Sequence, residues 1–335
     1  MLGFFWRKPQ NPTLSWRKRL AVCRQAWERP MLSIWLLWVL AAAALLVAGA
    51  VLLFSLDAAA AAALAVLFPL LVNAQIVAVT YGFALSCAYA PPPALGATAW
   101  GTAKAAAREW LATFVLFVLI QPFERWWMGP EALGPRRSGA PPLLLIHGYL
   151  CNRGVWWWLR RGLRAQGRAV ATIDLEPPLG SIETLAEVLD ARLRALTAET
   201  GAEKVVLVGH SMGGLAARAH LRRHGKARVA RLVTLGTPHH GTQLARIGLG
   251  HNAREMEPGS PWIRELNAAG PPPVQTLSVW SARDNYIAPQ DSSRLAGARE
   301  VVLPTLGHLS MLFSPRVLQV LLDETAETSD ASAAH

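Results

Sequence analysis

Charged residues and cysteines are both scarce in this sequence. Asp, Glu, Lys and Arg make up only 16% of the 335 residues, and 52% are hydrophobic, whereas charged residues make up about 25% of an average soluble domain. This balance excludes a disordered chain and argues against a wholly soluble one. The three cysteines, Cys23, Cys87 and Cys151, form no C-x-x-C pair, which argues against a disulfide-rich secreted domain and a cysteine-ligated zinc module.

Acidic residues are nearly absent from the basic N-terminal arm, residues 1–30. The arm has seven Lys and Arg residues against one acidic residue, Glu28, and seven minus one gives +6 of the total net charge of +11. Such an arm can bind nucleic acid. The basic residues elsewhere form no stripe, however, and the apolar segment that follows the arm indicates a membrane instead. We therefore predict no nucleic-acid partner.

Two long apolar segments follow the arm. Residues 31–54 contain no charged residue, and a helix of that length, at about 1.5 Å per residue, spans the roughly 30 Å hydrocarbon core of a bilayer. A second uncharged segment occupies residues 58–86 and contains Pro69. The short link at Asp57 makes the two segments antiparallel, and the positive-inside rule places the arm in the cytoplasm. We predict a transmembrane helical hairpin in a bacterial inner membrane, in a multi-pass protein.

A signal peptide and a buried core helix fit the apolar segments less well than a membrane hairpin does. A cleaved signal peptide has a shorter basic part and a shorter apolar part than residues 1–54, and two adjacent uncharged segments argue against a buried core helix. The third apolar segment, residues 109–123, is shorter and has charged residues at both ends. An interfacial helix fits these charges better than a third span. The choice between them decides on which side of the membrane the rest of the chain lies.

The membrane region, residues 31–128, ends in a Gly- and Pro-rich linker over 129–140. Beyond it, short apolar runs without polar alternation are separated by helical patterns, which indicates a parallel sheet covered on both faces. The fold class is therefore α/β, a doubly wound and mainly parallel sheet over residues 141–323, preceded by the all-α hairpin and followed by a polar tail, 324–335. Strands are predicted at 143–146, 169–175, 204–208, 229–235, 276–280 and 300–303, and helices at 181–196, about 211–224, 260–267 and 315–323.

The sequence GHSMG at 209–213 lies between a predicted strand and a predicted helix. In a nucleophile elbow the serine occupies a strained turn, and side chains two residues to either side would collide with neighbouring backbone. Glycine is therefore required at Gly209 and Gly213. The turn exposes the Ser211 hydroxyl at a helix N-terminus, where N–H groups and the helix dipole favour a developing oxyanion. We predict that Ser211 is a catalytic nucleophile.

A serine nucleophile needs a general base that is held by an acid. In a sheet of this kind the order along the chain is serine, acid, histidine. Among nine histidines, His308 follows the last predicted strand and is the predicted base, whereas His220 and His224 fall on a helix expected to face solvent. Asp284 follows the preceding strand and is the predicted acid. Asp291 is the alternative acid.

The first strand ends in His147, Gly148 and Tyr149. An oxyanion hole uses the backbone N–H after the nucleophile, here that of Met212, and one from the loop after an early strand, here that of Tyr149. Gly148 lets this loop approach closely. We expect His147 to support the loop rather than to react.

Together these segments resemble bacterial lipases and esterases of the α/β-hydrolase fold, in particular the triacylglycerol-lipase type. The resemblance covers residues 141–323 and implies that Ser211, Asp284 and His308 are nucleophile, acid and base. It also implies a small lid over the acyl site at 241–270. Some relatives carry a structural calcium ion, but no acidic cluster here matches it, and we expect neither a metal nor a cofactor. The matching segments are HGY at 147–149, GHSMGG at 209–214, TLGTPHHGT at 234–242, D-x-x-x-x-P at 284–289 and GHL at 307–309.

These observations favour a membrane-anchored serine hydrolase that cleaves lipid or acyl esters through an acyl-enzyme, in contact with the bilayer. An acyltransferase or a thioesterase would share the elbow and differ in the acceptor. A non-catalytic membrane scaffold or transport protein is the alternative outside the enzymes. The complete set of Ser, Asp and His argues against it, and two spans without charge give a transporter no coupling group. The oligomeric state is not indicated by the sequence.

Overall fold

A computed structural model describes residues 30–87, 98–131, 133 and 140–325. The basic arm up to residue 29, most of the linker at 129–140 and the tail beyond Thr325 lie outside the described residues. The predictions for those segments therefore stay predictions.

Helices α1 (Met31–Leu53) and α2 (Ala58–Ser86) form the predicted hairpin with nearly the predicted bounds. Asp57 caps α2, because its Oδ1 accepts the N–H of Ala60 at 2.8 Å. Both helices are long and apolar enough to cross a membrane, by length and composition alone. Many of their large apolar side chains are exposed, with Trp38 at 72% and Leu52 at 80%, whereas a core helix of a soluble protein is mostly buried.

The third apolar segment belongs to a longer helix than predicted. Thr98 starts this helix, because its Oγ1 accepts the N–H of Gly101 at 3.1 Å, and the alanines that follow extend it. It packs along α2, where Asn73 Nδ2 donates to the Trp110 carbonyl at 2.8 Å. The elements of this region are α3 (Ala99–Phe114), a π-helix (Val115–Ile120) and α4 (Glu124–Met128).

Six parallel strands form the predicted sheet, in the order β2-β1-β3-β4-β5-β6. The side chains of β1 and β3 are buried on both faces, which explains why their sequences show no polar alternation. All six strands were predicted. Their bounds are β1 (Leu143–Ile146), β2 (Val170–Ile173), β3 (Val205–His210), β4 (Val229–Leu235), β5 (Gln275–Ser281) and β6 (Arg299–Leu303).

Helices cover both faces of the sheet. One buried cluster joins the helices at 157–165 and 315–325 to one face, and a second joins the helices at 182–200 and 212–224 to the other. Leu116 and Ile120 of the π-helix belong to the first cluster, so the segment before the linker packs into the same core as the sheet. The helices are α5 (Trp157–Ala165), α6 (Ile182–Thr200), α7 (Met212–His224), α8 (His251–Glu255), α9 (Pro261–Ala268) and α10 (Pro315–Thr325).

Candidate active site

Ser211 occupies the sharp turn between β3 and α7. Its backbone has φ +56° and ψ −128°, a conformation that is strained for a residue with a side chain. A Cβ atom at Gly209 would lie 2.5 Å from the Gly214 nitrogen, and one at Gly213 would lie 2.6 Å from the His147 carbonyl oxygen. The backbone around both positions therefore leaves no room for a side chain, which is the reason for which glycine is predicted there.

His308 and Asp284 form a buried pair at the carboxyl edge of the sheet. His308 Nδ1 donates to Asp284 Oδ2 at 2.7 Å, while Asp284 Oδ1 accepts the N–H groups of Tyr286 at 2.8 Å and Ile287 at 2.9 Å. The exposed fractions of His308 and Asp284 are 3% and 1%. Burial lowers the pKa of His308, but the nearby carboxylates outweigh burial and raise this pKa above its ordinary value. With Nδ1 protonated, Nε2 is left to accept a proton.

The three predicted residues lie at one edge of the sheet. Ser211 and His308 line the same cavity, and the Ser211 N–H donates to the Leu235 carbonyl at 2.9 Å. The next residue, Gly236, lies so close that a Cβ there would be 3.1 Å from His308 Nδ1. The carboxylate bonded to His308 belongs to Asp284, so the pairing does not support the alternative acid Asp291.

The loop after β1 lies against the nucleophile. A Cβ at Gly148 would lie 2.7 Å from the Ser211 Cβ, so only glycine permits this approach. His147 is buried, Nε2 accepts the Leu175 N–H at 2.9 Å, and Nδ1 donates to the Gly148 carbonyl at 2.9 Å. Burial lowers the pKa of His147 to about 4, which keeps the ring neutral, in agreement with a supporting role.

Tyr149 connects this loop to the predicted lid. Its hydroxyl donates to the Leu249 carbonyl and accepts the Leu249 N–H, both at 2.8 Å. The segment 241–270 contains a short 3-10 helix, α8 and α9, and Ile247 and Leu249 are exposed at 68% and 69%. A lid function for this segment and oxyanion binding by the N–H groups of Tyr149 and Met212 stay predictions.

The loop that carries His308 is held by neighbours on several elements. His210 Nε2 donates to the His308 carbonyl at 3.2 Å, and the His308 N–H donates to Asn285 Oδ1 at 3.2 Å. Asn285 Nδ2 in turn donates to Thr80 Oγ1 of α2 at 2.8 Å. The hairpin therefore contacts the loops that orient the predicted acid and base.

Glu109 contacts the loop after His308 and is absent from the residues predicted from the sequence. This side chain of α3 is fully buried, and its two carboxylate oxygens accept the N–H groups of Leu309 and Ser310, each at 2.8 Å. Burial raises the pKa of Glu109 to about 7, although the two N–H donors lower it, so the carboxylate carries its charge above neutral pH. The sequence contains one signal, an acidic residue at the end of an apolar segment, but this charge indicates only an interfacial helix in place of a third span.

We expect Glu109→Gln to lower kcat/KM for ester hydrolysis by about tenfold. An amide cannot accept both N–H bonds from the loop after His308, and one unsatisfied buried donor in this loop costs about 1–3 kcal/mol. The variant also removes a negative charge that raises the pKa of His308. His308 then stays unprotonated to lower pH, so the acid limb of the kcat/KM profile moves to lower pH. The profile is measured with a soluble butyryl ester.

Glu124→Gln is the matched control for Glu109. Glu124 is also buried, but its carboxylate pairs with Arg153 at 3.1 Å, and the carboxylates that raise the pKa of His308 are those of Asp284 and Glu109. This variant is expected to lose stability and to keep the wild-type acid limb. An acid limb that moves equally in both variants would contradict a specific effect of the Glu109 charge on His308.

A second cluster of polar side chains lies between α6 and α7. The ligand atoms of Asp190, His220 and His224 lie within 4.8 Å of one another, close enough to hold a metal ion. The expectation that His220 faces solvent is wrong: it is 2% exposed, because α6 packs over it. Burial lowers the pKa of His220 to about 4. His224 Nε2 is 3.0 Å from Glu187 and Asp190 pairs with Arg194, so protein groups already engage two of the three side chains.

Comparisons with known proteins agree with this architecture. Residues 141–253 match the alpha/beta hydrolase fold family. The chain is 32% identical over 116 residues to triacylglycerol lipases of Pseudarthrobacter phenanthrenivorans and Burkholderia plantarii, which covers 31% of this chain and 35% and 31% of those proteins. It therefore spans about a third of the length of these relatives.

A solved structure extends the likeness over a larger share of the chain. The mature lipase BlEst2 of Bacillus licheniformis superposes with a TM-score of 0.53 at 20% identity, over 58% of this chain and 96% of that one. At this identity the likeness shows the fold. The resemblance stated from the sequence is thus confirmed, and the chain carries a domain of the α/β-hydrolase fold that is similar to those of bacterial lipases and esterases.

Proposed function

We propose that this chain is a membrane-anchored serine hydrolase that cleaves lipid or acyl esters through an acyl-enzyme. The hydrogen-bonded pair of Asp284 and His308, facing the same cavity as Ser211 at its strained turn, is the observation that carries this proposal. The matched relatives include triacylglycerol lipases and, in Vibrio campbellii, a pimeloyl-[acyl-carrier protein] methyl ester esterase, which is 35% identical over 97 residues. All of these proteins act on esters by name.

In the first half of the reaction, Ser211 Oγ attacks the ester carbonyl while His308 Nε2 takes the hydroxyl proton. The carbonyl oxygen becomes an oxyanion, and the N–H groups of Met212 and Tyr149 stabilise it. The bond to the alcohol then breaks, and His308 gives its proton to the departing oxygen. Asp284 keeps the proton of the imidazole on Nδ1 and stabilises the imidazolium that forms.

In the second half, water takes the place of the alcohol. His308 Nε2 accepts a proton from the water as its oxygen attacks the acyl carbonyl on Ser211. Collapse of the second tetrahedral intermediate breaks the bond to Ser211 Oγ, which recovers the proton from His308. The products are the free acid and the unmodified enzyme, so no further reactant is required.

We infer that α1 and α2 anchor the chain in a bacterial inner membrane with the catalytic domain on the cytoplasmic side. The positive-inside rule places the basic arm in the cytoplasm, and a hairpin returns the chain to that side. The contacts of α3 favour an interfacial position for this helix over a third span. Glu109 accepts hydrogen bonds from the loop after His308, and Arg108 Nη1 donates to the Thr305 carbonyl at 3.4 Å. Both residues are therefore held at the level of the catalytic domain.

An activity-based probe tests this proposal. A fluorophosphonate phosphonylates an activated serine and releases fluoride, so the purified protein should be labelled, and peptide mapping should place the label on Ser211. A probe that cannot cross membranes should label lysed cells and not intact spheroplasts if the domain is cytoplasmic. Free acid, measured as the product from a p-nitrophenyl ester, distinguishes hydrolysis from acyl transfer. Absence of Ser211 labelling in active, folded protein would rule out the serine mechanism.

A further inference from the structure

One continuous cavity extends from the candidate active site into the hairpin. It has a volume of about 1020 Å³, at the upper limit of the roughly 300–1,000 Å³ that is usual for small-molecule sites. Near Ser211 its walls come from the loop 148–151 and from the predicted lid. Farther away, its walls are the facing sides of α1 and α2, and we call this part the hairpin groove.

The hairpin groove is lined by apolar side chains, many of them small. Among the described residues that line the cavity, none is Asp, Glu, Lys or Arg. The alanines among them fill little of the space between the two helices, which leaves room for a ligand. The lining on α1 includes Leu36, Leu40, Ala44, Ala48 and Val51, and that on α2 includes Ala61, Ala65, Phe68, Val72 and Ile76.

The Asn73 amide nitrogen and the Thr80 hydroxyl, two polar groups of the groove, already have partners within the protein. Asn73 Nδ2 donates to the Trp110 carbonyl at 2.8 Å, and Thr80 Oγ1 accepts from Asn285 Nδ2 at 2.8 Å. A peptide in the groove would leave its N–H and C=O groups without hydrogen bonds, and burial of an unpaired polar group is unfavourable. A hydrocarbon chain has no such groups, so it fits the chemistry of the groove.

The dimensions also match a lipid chain. From Leu36 to Val51 the groove follows α1 for 15 residues, about 22 Å at 1.5 Å per residue. This length lies within the roughly 30 Å hydrocarbon core of a bilayer. An acyl chain in the groove would therefore remain in hydrocarbon surroundings along its whole length, while its ester group lies at the catalytic end of the cavity.

We propose that the hairpin groove binds the acyl chain of a long-chain ester of the bilayer, which enters the site sideways from the membrane. The hairpin is then the acyl-binding site of the enzyme as well as its anchor. This inference rests on the proposed function, because it needs Ser211 to receive the acyl group. It names the substrate class, a membrane lipid ester with one long chain held between α1 and α2.

Cross-linking from the nucleophile locates the chain directly. The full-length protein in vesicles of phosphatidylethanolamine and phosphatidylglycerol is treated with a hexadecyl fluorophosphonate that carries a diazirine at the end of its chain. After irradiation, the chain should be cross-linked to peptides within 36–51 or 61–76. If Ser211 is labelled and the cross-links fall in the lid or elsewhere, the groove inference is wrong. If Ser211 is not labelled, the proposed function itself fails.

Chain-length preference gives a second measurement. Ala48→Trp places a large ring in the groove far from Ser211, and exclusion of two methylene groups from burial already corresponds to about tenfold in binding. The ratio of kcat/KM for a palmitoyl ester to that for a butyryl ester should therefore fall by about tenfold or more. Ala42→Trp, an exposed alanine of α1 outside the cavity lining, should keep the wild-type ratio. An unchanged ratio in Ala48→Trp would overturn the inference.

Discussion

Ser211→Ala is expected to lower kcat for ester hydrolysis by about 10⁶-fold, because the acyl-enzyme can no longer form on Ser211 and residual catalysis comes only from binding and the oxyanion hole. The fold should be unaffected. Alanine has the same backbone strain as serine at a φ of +56°, and the Ser211 side chain makes no capping hydrogen bond to α7. Hydrolysis is measured with a p-nitrophenyl ester, and stability by the midpoint of thermal unfolding.

Ser181→Ala supplies the opposite pattern of effects. Ser181 caps α6, where its Oγ accepts the Thr184 N–H at 3.4 Å, and loss of a serine cap costs about 1 kcal/mol of stability. The Ser181 variant should therefore unfold at a lower temperature with wild-type kcat, whereas Ser211→Ala keeps its unfolding midpoint and loses activity. A Ser211→Ala enzyme with full esterase activity would exclude the acyl-enzyme mechanism.

The sheet and the elbow could be predicted because their signals are local. The apolar run of β3 and the glycines at 209 and 213 lie within nine residues of one another, and the strain at Ser211 follows directly from them. The order of catalytic residues along the chain, serine, acid and histidine, then predicts Asp284 as the acid and His308 as the base, although the sequence does not show that they are in contact. The structure adds the distances and the orientation of the carboxylate.

The residues that were missed depend on contacts far apart in sequence. Glu109 accepts hydrogen bonds from residues 200 and 201 positions away, and no pattern around position 109 predicts such partners. α5 was also missed, because its arginines suggest a solvated segment. In the structure, Arg160 Nη1 instead donates to the Met128 carbonyl at 2.7 Å and Arg164 Nη2 to the Val170 carbonyl at 2.9 Å. Long side chains of this kind bury their stems while their charged ends find backbone acceptors.

Asp284→Asn is expected to lower kcat by about 10⁴-fold, the usual cost of a wrong histidine tautomer. The local hydrogen bonds fix the orientation of the new amide. Its oxygen must stay at the Oδ1 position, where it accepts the N–H groups of Tyr286 and Ile287. The amide nitrogen then faces His308 Nδ1 and donates to it. The proton of the imidazole moves to Nε2, which can no longer accept a proton from Ser211.

Loss of the Asp284 charge has its own effect on the pH profile, and a neighbouring carboxylate provides the control for simple loss of a negative charge. Asp284 raises the pKa of His308, so the residual activity of Asp284→Asn should have its acid limb at lower pH than the wild type. Asp291→Asn removes a negative charge seven residues away without changing the partner of His308, and it should keep kcat within about twofold, as expected for a side chain outside the reacting groups. If Asp291→Asn loses activity and Asp284→Asn does not, the assignment of the acid is reversed, and the hydrogen bond at 2.7 Å does not orient the base.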